Sequence, residues 1–478
     1  MHQIHPTRYR VKLSSIKNAL MFLITYMFGY FSGMLPSYWL STSEGPMLSS
    51  AKNSIGSIKA QFETNFTFPT VEEAKNSTVS IKTQFETDFT FPTVEERVKY
   101  YMGTWYNKNL TVPTSPESSL CKDLFVASSK STIGPHRDTL YSFTDLQKRH
   151  QMPQMWHSVY LKDAANILSH VESHIDQQGE DEEKYIILKT GDGYSPDDNK
   201  PVVAKTRRHY EAQDGEGEEG DNNNKYKPIV WPLHIKYHFS GVEKLRSINQ
   251  TDWNDKREEV VWRGACTGVG EGSTSTGASR LVFVEKHRFN KGKGIDVALK
   301  GRCRGISKKI QIKVGQSFYG GAIDMEKLLR YKYLLSLEGN DVATGLKWML
   351  ASNSVVFMPP PTAVSFTMES KLVPYVHYVP VKRDGSDLLS QLEWAKKNDD
   401  KCKWISEQAT AYIENLWSSD QASFDLIVIK HMMGKMYHEK FSKALAVCHS
   451  GCPSDKVCGT PLIEAQNPRD RSRRQQLW

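Results

Sequence analysis

Two stretches of this sequence combine residue types suited to handling a phosphate. In Val260-Val-Trp262-Arg263-Gly264-Ala265-Cys-Thr-Gly268 an apolar run ends in a Gly/Ser/Thr-rich loop that reaches Arg280, where a helix is predicted to begin. An arginine there can donate two hydrogen bonds to a phosphate and stabilise the charge that develops as a nucleotide leaves. Taken alone, each arginine is more commonly a surface ion-pair partner. The second stretch, Tyr331 to Trp348, reads as a buried strand, a turn at Gly339 and a helix start. Unpaired N–H groups and the macrodipole at such a helix head favour an anion, and a nucleoside diphosphate would suit it. A glycine at a strand-to-helix junction is also an ordinary turn residue.

Two further side chains have suitable chemistry. His377, between Val and Tyr in a short apolar run, can polarise a donor or acceptor oxygen, and the same setting suits a satisfied core histidine. Glu369, at the head of a predicted helix, can accept hydrogen bonds from sugar or nucleotide hydroxyls or simply face solvent. Cys448-His-Ser-Gly-Cys452 lacks the second ligand pair of a zinc site and reads better as part of a disulfide-tied tail.

The elements that must position these residues alternate. Tyr185–Leu188, Val202–Ala204, Val260–Trp262, Tyr333–Leu337 and Ser354–Met358 read as short buried strands. Ser279–His287, Val342–Ala351 and Ser386–Lys397 read as helices, the last with Ser386 as N-cap and Leu388, Leu389, Leu392 and Trp394 as its apolar stripe. Strand, glycine turn and helix in alternation predict an α/β protein with open parallel sheets, whose ligands bind at the carboxyl ends of the strands. Glu211 to Asn224 is acidic, glycine-rich and without apolar anchors, and is expected as a solvated loop.

With 478 residues the chain exceeds what one core usually fills, so two lobes plus appendages are expected. The net charge of +8 arises from 62 basic and 54 acidic residues, a mixed surface and not a nucleic-acid footprint. Residues 18–40 are free of charge and strongly apolar from Ala19 to Phe31, which predicts one membrane span. Arg8, Arg10, Lys12 and Lys17 precede it and place residues 1–17 in the cytosol, with the remainder in the lumen. The apolar run is longer than that of a cleaved signal peptide. Sequons at Asn65, Asn76, Asn109 and Asn249 and seven cysteines suit a lumenal, oxidising setting. Ser57–Glu73 recurs as Ser80–Glu96 with two differences, and its Thr-rich, Pro-punctuated composition predicts an extended stem over 41–100; a short interaction motif used twice is the alternative.

Taken in order, Trp262-Arg263-Gly264, Arg280, Tyr331-Lys-Tyr-Leu-Leu, Glu338-Gly339, Ser352-Asn-Ser-Val-Val-Phe, Pro374-Tyr-Val-His377-Tyr-Val-Pro380 and Asp387-Leu resemble the capsule-associated-protein and Rumi type of glycosyltransferase. The resemblance covers roughly residues 180 to 420, and its wording around Leu337 to Trp348 is closest to the lipopolysaccharide-modifying and algal members. It implies a GT-B fold, two Rossmann-like lobes facing across a cleft, with an acceptor lobe over 101–255, a nucleotide-sugar lobe over 256–420 and a C-terminal helix and cysteine-containing tail over 421–478.

The resemblance further implies an inverting transfer of glucose or xylose from a UDP-sugar to a hydroxyl of a glycan or glycoprotein. Asp192, after Ile186-Ile-Leu-Lys-Thr-Gly191, matches the family's general base, with Asp197 and Asp198 nearby. Donor contacts fall on Arg263, Ala265, Arg280, Gly339, Asn340, Asp341, Val342, Ala343, Thr344, Gly345 and Lys347. Where the animal O-glucosyltransferases have Arg and Ser, this chain has Gly345 and Ala265, and Lys347 is expected to supply part of the missing charge. No Asp-x-Asp occurs, so neither a metal nor another cofactor is expected, the UDP-sugar being a substrate. The overall expectation is a single-pass type II enzyme of the Golgi or endoplasmic reticulum membrane. The competing one is a catalytically silent carbohydrate-binding or scaffold protein that keeps the fold.

Overall fold

The computed structural model describes residues 85–115, 118, 120–121, 124–126, 138–149, 158–169, 171, 183–192, 200–209, 228–268, 280–301 and 315–451. The expected membrane span, the first copy of the duplication, Asn65, Asn76, Asp197, Asp198, the acidic loop, Cys303, Cys452 and Cys458 lie outside these residues. Among the described residues no helix is long and apolar enough to cross a membrane.

Along the chain α1 (Val94–Met102) precedes β1 (Phe125–Val126), β2 (Asp138–Ser142), α2 (Phe143–Arg149), α3 (Ser158–Ser169), β3 (Tyr185–Lys189), β4 (Val202–Ala204), β5 (Thr206–Arg208) and β6 (Ile229–Val230). Then come α4 (Ile235–Leu245), β7 (Arg257–Gly264), α5 (Arg280–His287), β8 (Ile295–Leu299), α6 (Met325–Leu328), β9 (Tyr331–Leu335) and α7 (Leu346–Leu350). The last elements are β10 (Val355–Met358), β11 (Ala363–Ser365), β12 (Val379–Pro380), α8 (Leu388–Lys397), α9 (Asp399–Ile413) and α10 (Asp420–Ser450).

The strands form two five-stranded sheets. The first has the order β1-β2-β3-β4-β6, parallel except between β2 and β3. The second, β12-β10-β9-β7-β8, is parallel throughout, and β9 and β8 flank β7 on opposite sides, so the strand order reverses at β7. Strands covered on both faces read as unbroken apolar runs, which is why strands were legible around Tyr333 and Val356; the first starts and ends two residues earlier than expected, at Tyr331–Leu335, the second is Val355–Met358, and both are buried at every position. A two-stranded antiparallel ribbon of β5 and β11 links the parts of the chain that carry the two sheets.

One expectation about the N-terminal part changes. The extended stem expected through residue 100 stops short of it: Phe89 packs edge-on to His377, Phe91 edge-on to Tyr412, and Phe85 against Trp404. Burial of these rings offsets the entropy of ordering the segment. Thr93 and Glu96 then cap α1 reciprocally, as a Thr-x-x-Glu box does. At the other end the expected C-terminal helix is present as α10, and it packs on the first sheet. Its Tyr437 hydroxyl accepts from the Ile187 amide at 3.1 Å and donates to the Pro201 carbonyl at 2.8 Å, fixing the helix to the first sheet. A disulfide between Cys448 and Cys121 ties its C-terminal end, while Cys402 is a free buried thiol.

Candidate active site

A cleft of about 490 Å³ opens where the carboxyl ends of strands from both sheets meet. Asp192 beyond β3 and Lys205 beyond β4 line it on one side; the loops after β7 and β9, at the strand-order reversal, line it on the other. Such a reversal is where open α/β sheets leave a crevice.

Trp262, Arg263 and Gly264 form a structural unit at the end of β7. A Cβ on Gly264 would lie 2.3 Å from the Trp262 ring, so only glycine lets the indole fold under the loop. The Arg280 guanidinium sits 5.7 Å above that ring. Arg263 turns to β8, donating to the Asp296 carboxylate at 2.7 Å and to the Asp296 and Trp262 carbonyls. It lines the cleft as the wall that holds β7 to β8.

Arg280, at the first position of α5, bridges the two loops. Nη1 donates to the Ala265 carbonyl at 2.9 Å and to Thr267 Oγ1 at 2.6 Å; Nη2 donates to Leu337 O at 2.9 Å, and Nε reaches the Leu337 and Glu338 carbonyls. Four of its five N–H groups are thereby engaged, leaving one on Nη2. Burial lowers its pKa to about 10, so the group remains a cation at neutral pH.

The same two loops touch glycine to glycine. A Cβ on Gly268, whose φ is +74°, would lie 2.4 Å from the Gly339 carbonyl oxygen, and one on Gly339 would lie 2.6 Å from Thr267 Oγ1. The Gly268 amide donates to Asn340 Oδ1 at 3.1 Å. Asn340, Asp341, Val342, Ala343, Thr344 and Gly345 all line the cleft together with Ala265, Arg280 and Gly339.

The helix expected over Val342–Ala351 is shorter, only Leu346–Leu350. Gly339 N closes onto Asp341 O, and Val342 and Ala343 are spent on burial, so residues 340–345 run as a loop and no long helix head points at the cleft. Lys347 leaves the cleft altogether. Its ammonium is buried 3.2 Å from Glu369 Oε1, and Glu369 also accepts from the Ser365 amide and hydroxyl. The two residues expected to meet a ligand therefore neutralise each other in the core, and Glu369 heads only a single 3-10 turn. His377 lies in a turn, not on a strand; its Nδ1 accepts from the Val373 amide at 2.9 Å, and burial pulls its pKa down to about 4. Asn109 and Asn249 are exposed.

Asp192 Oδ1 lies 2.8 Å from Lys205 Nζ, which is also 3.1 Å from Asp341 Oδ2. Lys205 escaped the sequence reading because it directly follows Val202–Ala204, which reads only as a short buried strand. Burial pulls its pKa down, yet Asp341, Tyr160 and Asp192 outweigh that and leave it raised, a permanent cation. Lys300, His238 and Tyr237 also line the cleft without having been singled out. The position of Lys300 directly after β8 could have flagged it.

Residues 231–428 match the model described as Glycosyl transferase family 90. The O-glucosyltransferase LpsA of Dichelobacter nodosus is 40% identical over 158 residues, 33% of this chain and 43% of that protein. Protein O-glucosyltransferase 2 of Danio rerio is 29% identical over 157 residues, 32% of this chain and 28% of that protein. Protein O-glucosyltransferase 3 of Homo sapiens is 34% identical over 201 residues, 40% of this chain and 36% of that protein. Each match spans less than half the length of the relative. Arg263, Arg280 and the 336–345 loop fall inside the matched segment, whereas Asp192 and Lys205 precede it. Residues 231–428 of this chain are thus a glycosyl transferase family 90 domain, of the type its ordered motifs resemble.

Proposed function

We propose that the cleft binds a UDP-sugar and transfers the sugar, glucose or xylose, with inversion to a hydroxyl of a glycan or protein acceptor. One observation carries the reading: Arg280 and the loop after Gly339 share a single cleft with Asp192. In this reaction the Asp192 carboxylate takes the acceptor proton while the oxygen attacks the anomeric carbon from the face opposite the leaving UDP. The remaining Arg280 N–H, Lys300 and the loop amides meet the charge that develops on the pyrophosphate. No Asp-x-Asp pair is present to hold a metal, and these groups supply the positive potential in its place. Two sheets whose strand ends share one cleft support a GT-B arrangement, and the N-terminal apolar run and exposed sequons support a type II protein of the Golgi or endoplasmic reticulum membrane.

The full chain is incubated with a panel of UDP-sugars in the presence of a chelator, and release of UDP is followed. Turnover of at least one donor is expected. Asp192→Asn should keep the rise in melting temperature that UDP causes and lose turnover; near wild-type turnover in that variant rejects the base assignment. A silent binding protein is the second reading, favoured by the engagement of four Arg280 N–H groups with carbonyl and hydroxyl oxygens. It is selected if no donor turns over.

A further inference from the structure

The cleft that holds Asp192 and Lys205 is also lined by a large, exposed aromatic side chain. Tyr237, in the first turn of α4, lines the cleft and is 59% exposed. Its inner face stacks on His234 with centroids 4.8 Å apart and planes 15° apart, and His234 stacks in turn on the buried Tyr160 at 4.8 Å and 22°. The three rings form a column rooted in α3 and ending at the cleft.

Single exposed aromatics are common on protein surfaces and need no ligand. This one is braced. His234 holds the left-handed conformation, φ 57°, unusual for a residue other than glycine, and that conformation lets its ring lie between the two tyrosines. Asp163 of α3 accepts from the Ile235 amide at 3.2 Å and fixes the start of α4 to the root of the column. Backbone strain spent on presenting one ring face is what a binding platform requires, since an ordered ring loses little entropy on contact.

A pyranose has one face of C–H groups that packs on the electron-rich face of an aromatic ring while its hydroxyls stay hydrated or bonded elsewhere. The donor-holding loops come from the second sheet, whereas the column stands on the first-sheet side, beside the carboxylate that would receive the acceptor's proton. We infer that Tyr237 is the stacking platform for a pyranose ring of the acceptor, so that the acceptor is a carbohydrate. This rests on the glycosyl-transfer reading for its position in the reaction, and on the ring column alone for its affinity for sugar.

The full chain, saturated with UDP, is mixed with the methyl glycosides of glucose, xylose, galactose and mannose, and contact is read by saturation-transfer NMR. At least one glycoside should bind the wild type and Tyr237→Phe, which keeps the ring, and bind Tyr237→Ala tenfold or more weakly. Because the side chain is exposed, that variant should melt with the wild type. Equal glycoside contact in Tyr237→Ala, or none to a wild type that binds UDP, overturns the platform; so does a loss of UDP-glucose affinity in Tyr237→Ala with glycoside contact intact. A wild type that does not bind UDP sinks the donor reading instead, and glycoside contact that still depends on Tyr237 upholds the platform.

Discussion

Lys205 Nζ lies 2.8 Å from Asp192 Oδ1, so a buried ammonium faces the carboxylate proposed as the base, and the same nitrogen reaches Asp341 of the loop after Gly339 at 3.1 Å. One cation thus joins the two sides of the cleft. Removing one member of a buried pair leaves the other charge stranded, at a cost of about 3–5 kcal/mol. Asp341, with its side chain 6% exposed, is the member at risk, while Asp192 at 54% can turn to water.

Lys205→Met is therefore expected to lose about 3 kcal/mol in chemical denaturation and at least tenfold in transfer rate. Adding Asp341→Asn should restore much of the stability, since the buried carboxylate that loses Lys205 is then removed, without restoring the rate. A double variant as fast as the wild type would reduce Lys205 to a structural pin.

Two glycines of the cleft-lining loops should respond differently to a methyl group. Gly268→Ala places a Cβ against the Gly339 carbonyl at a positive φ, so the loops must part; loss of at least about 2 kcal/mol is expected, together with loss of the melting-temperature rise that UDP causes. Gly345→Ala meets the Met349 terminal methyl and the Trp348 ring nitrogen at 3.2 Å with φ of −71°, contacts that a shift of a few tenths of an ångström relieves. Stability within about 0.5 kcal/mol of wild type and unchanged UDP binding are expected there. Equal effects at the two sites would refute the packing of the loops described here.

His377 should make stability pH-dependent without touching catalysis. Burial holds its pKa at about 4, against about 6.5 in the unfolded chain, so below pH 6.5 the unfolded state binds the proton first. Stability from this group is complete above about pH 6.5, falls as the pH drops, and levels off below about 4, with a total on the order of 3 kcal/mol. His377→Gln should flatten that part of the curve of melting temperature against pH, at a constant stability cost for the altered packing. An undiminished slope in the variant would remove His377 as the source.

Local patterning in the sequence determined the strands around Tyr333, Val356 and Ile187, the loops beginning at Gly264 and Gly339, and the arginine that opens α5. Apolar runs, glycine turns and a basic residue at a helix start express preferences of neighbouring residues, and those are readable without a fold. Which side chains share the cleft was decided by contacts between residues far apart in sequence. Lys205 meets Asp341 across 136 positions, and Phe89 meets His377 across 288. Nothing local could tell that Lys347, two residues past the cleft-lining Gly345, is turned into the core toward Glu369, because the rotation of a five-residue helix is set by what packs on it. The Tyr160–His234–Tyr237 column is likewise absent from any linear motif: it exists because α3 brings Tyr160 onto His234, which the left-handed entry to α4 stacks on Tyr237.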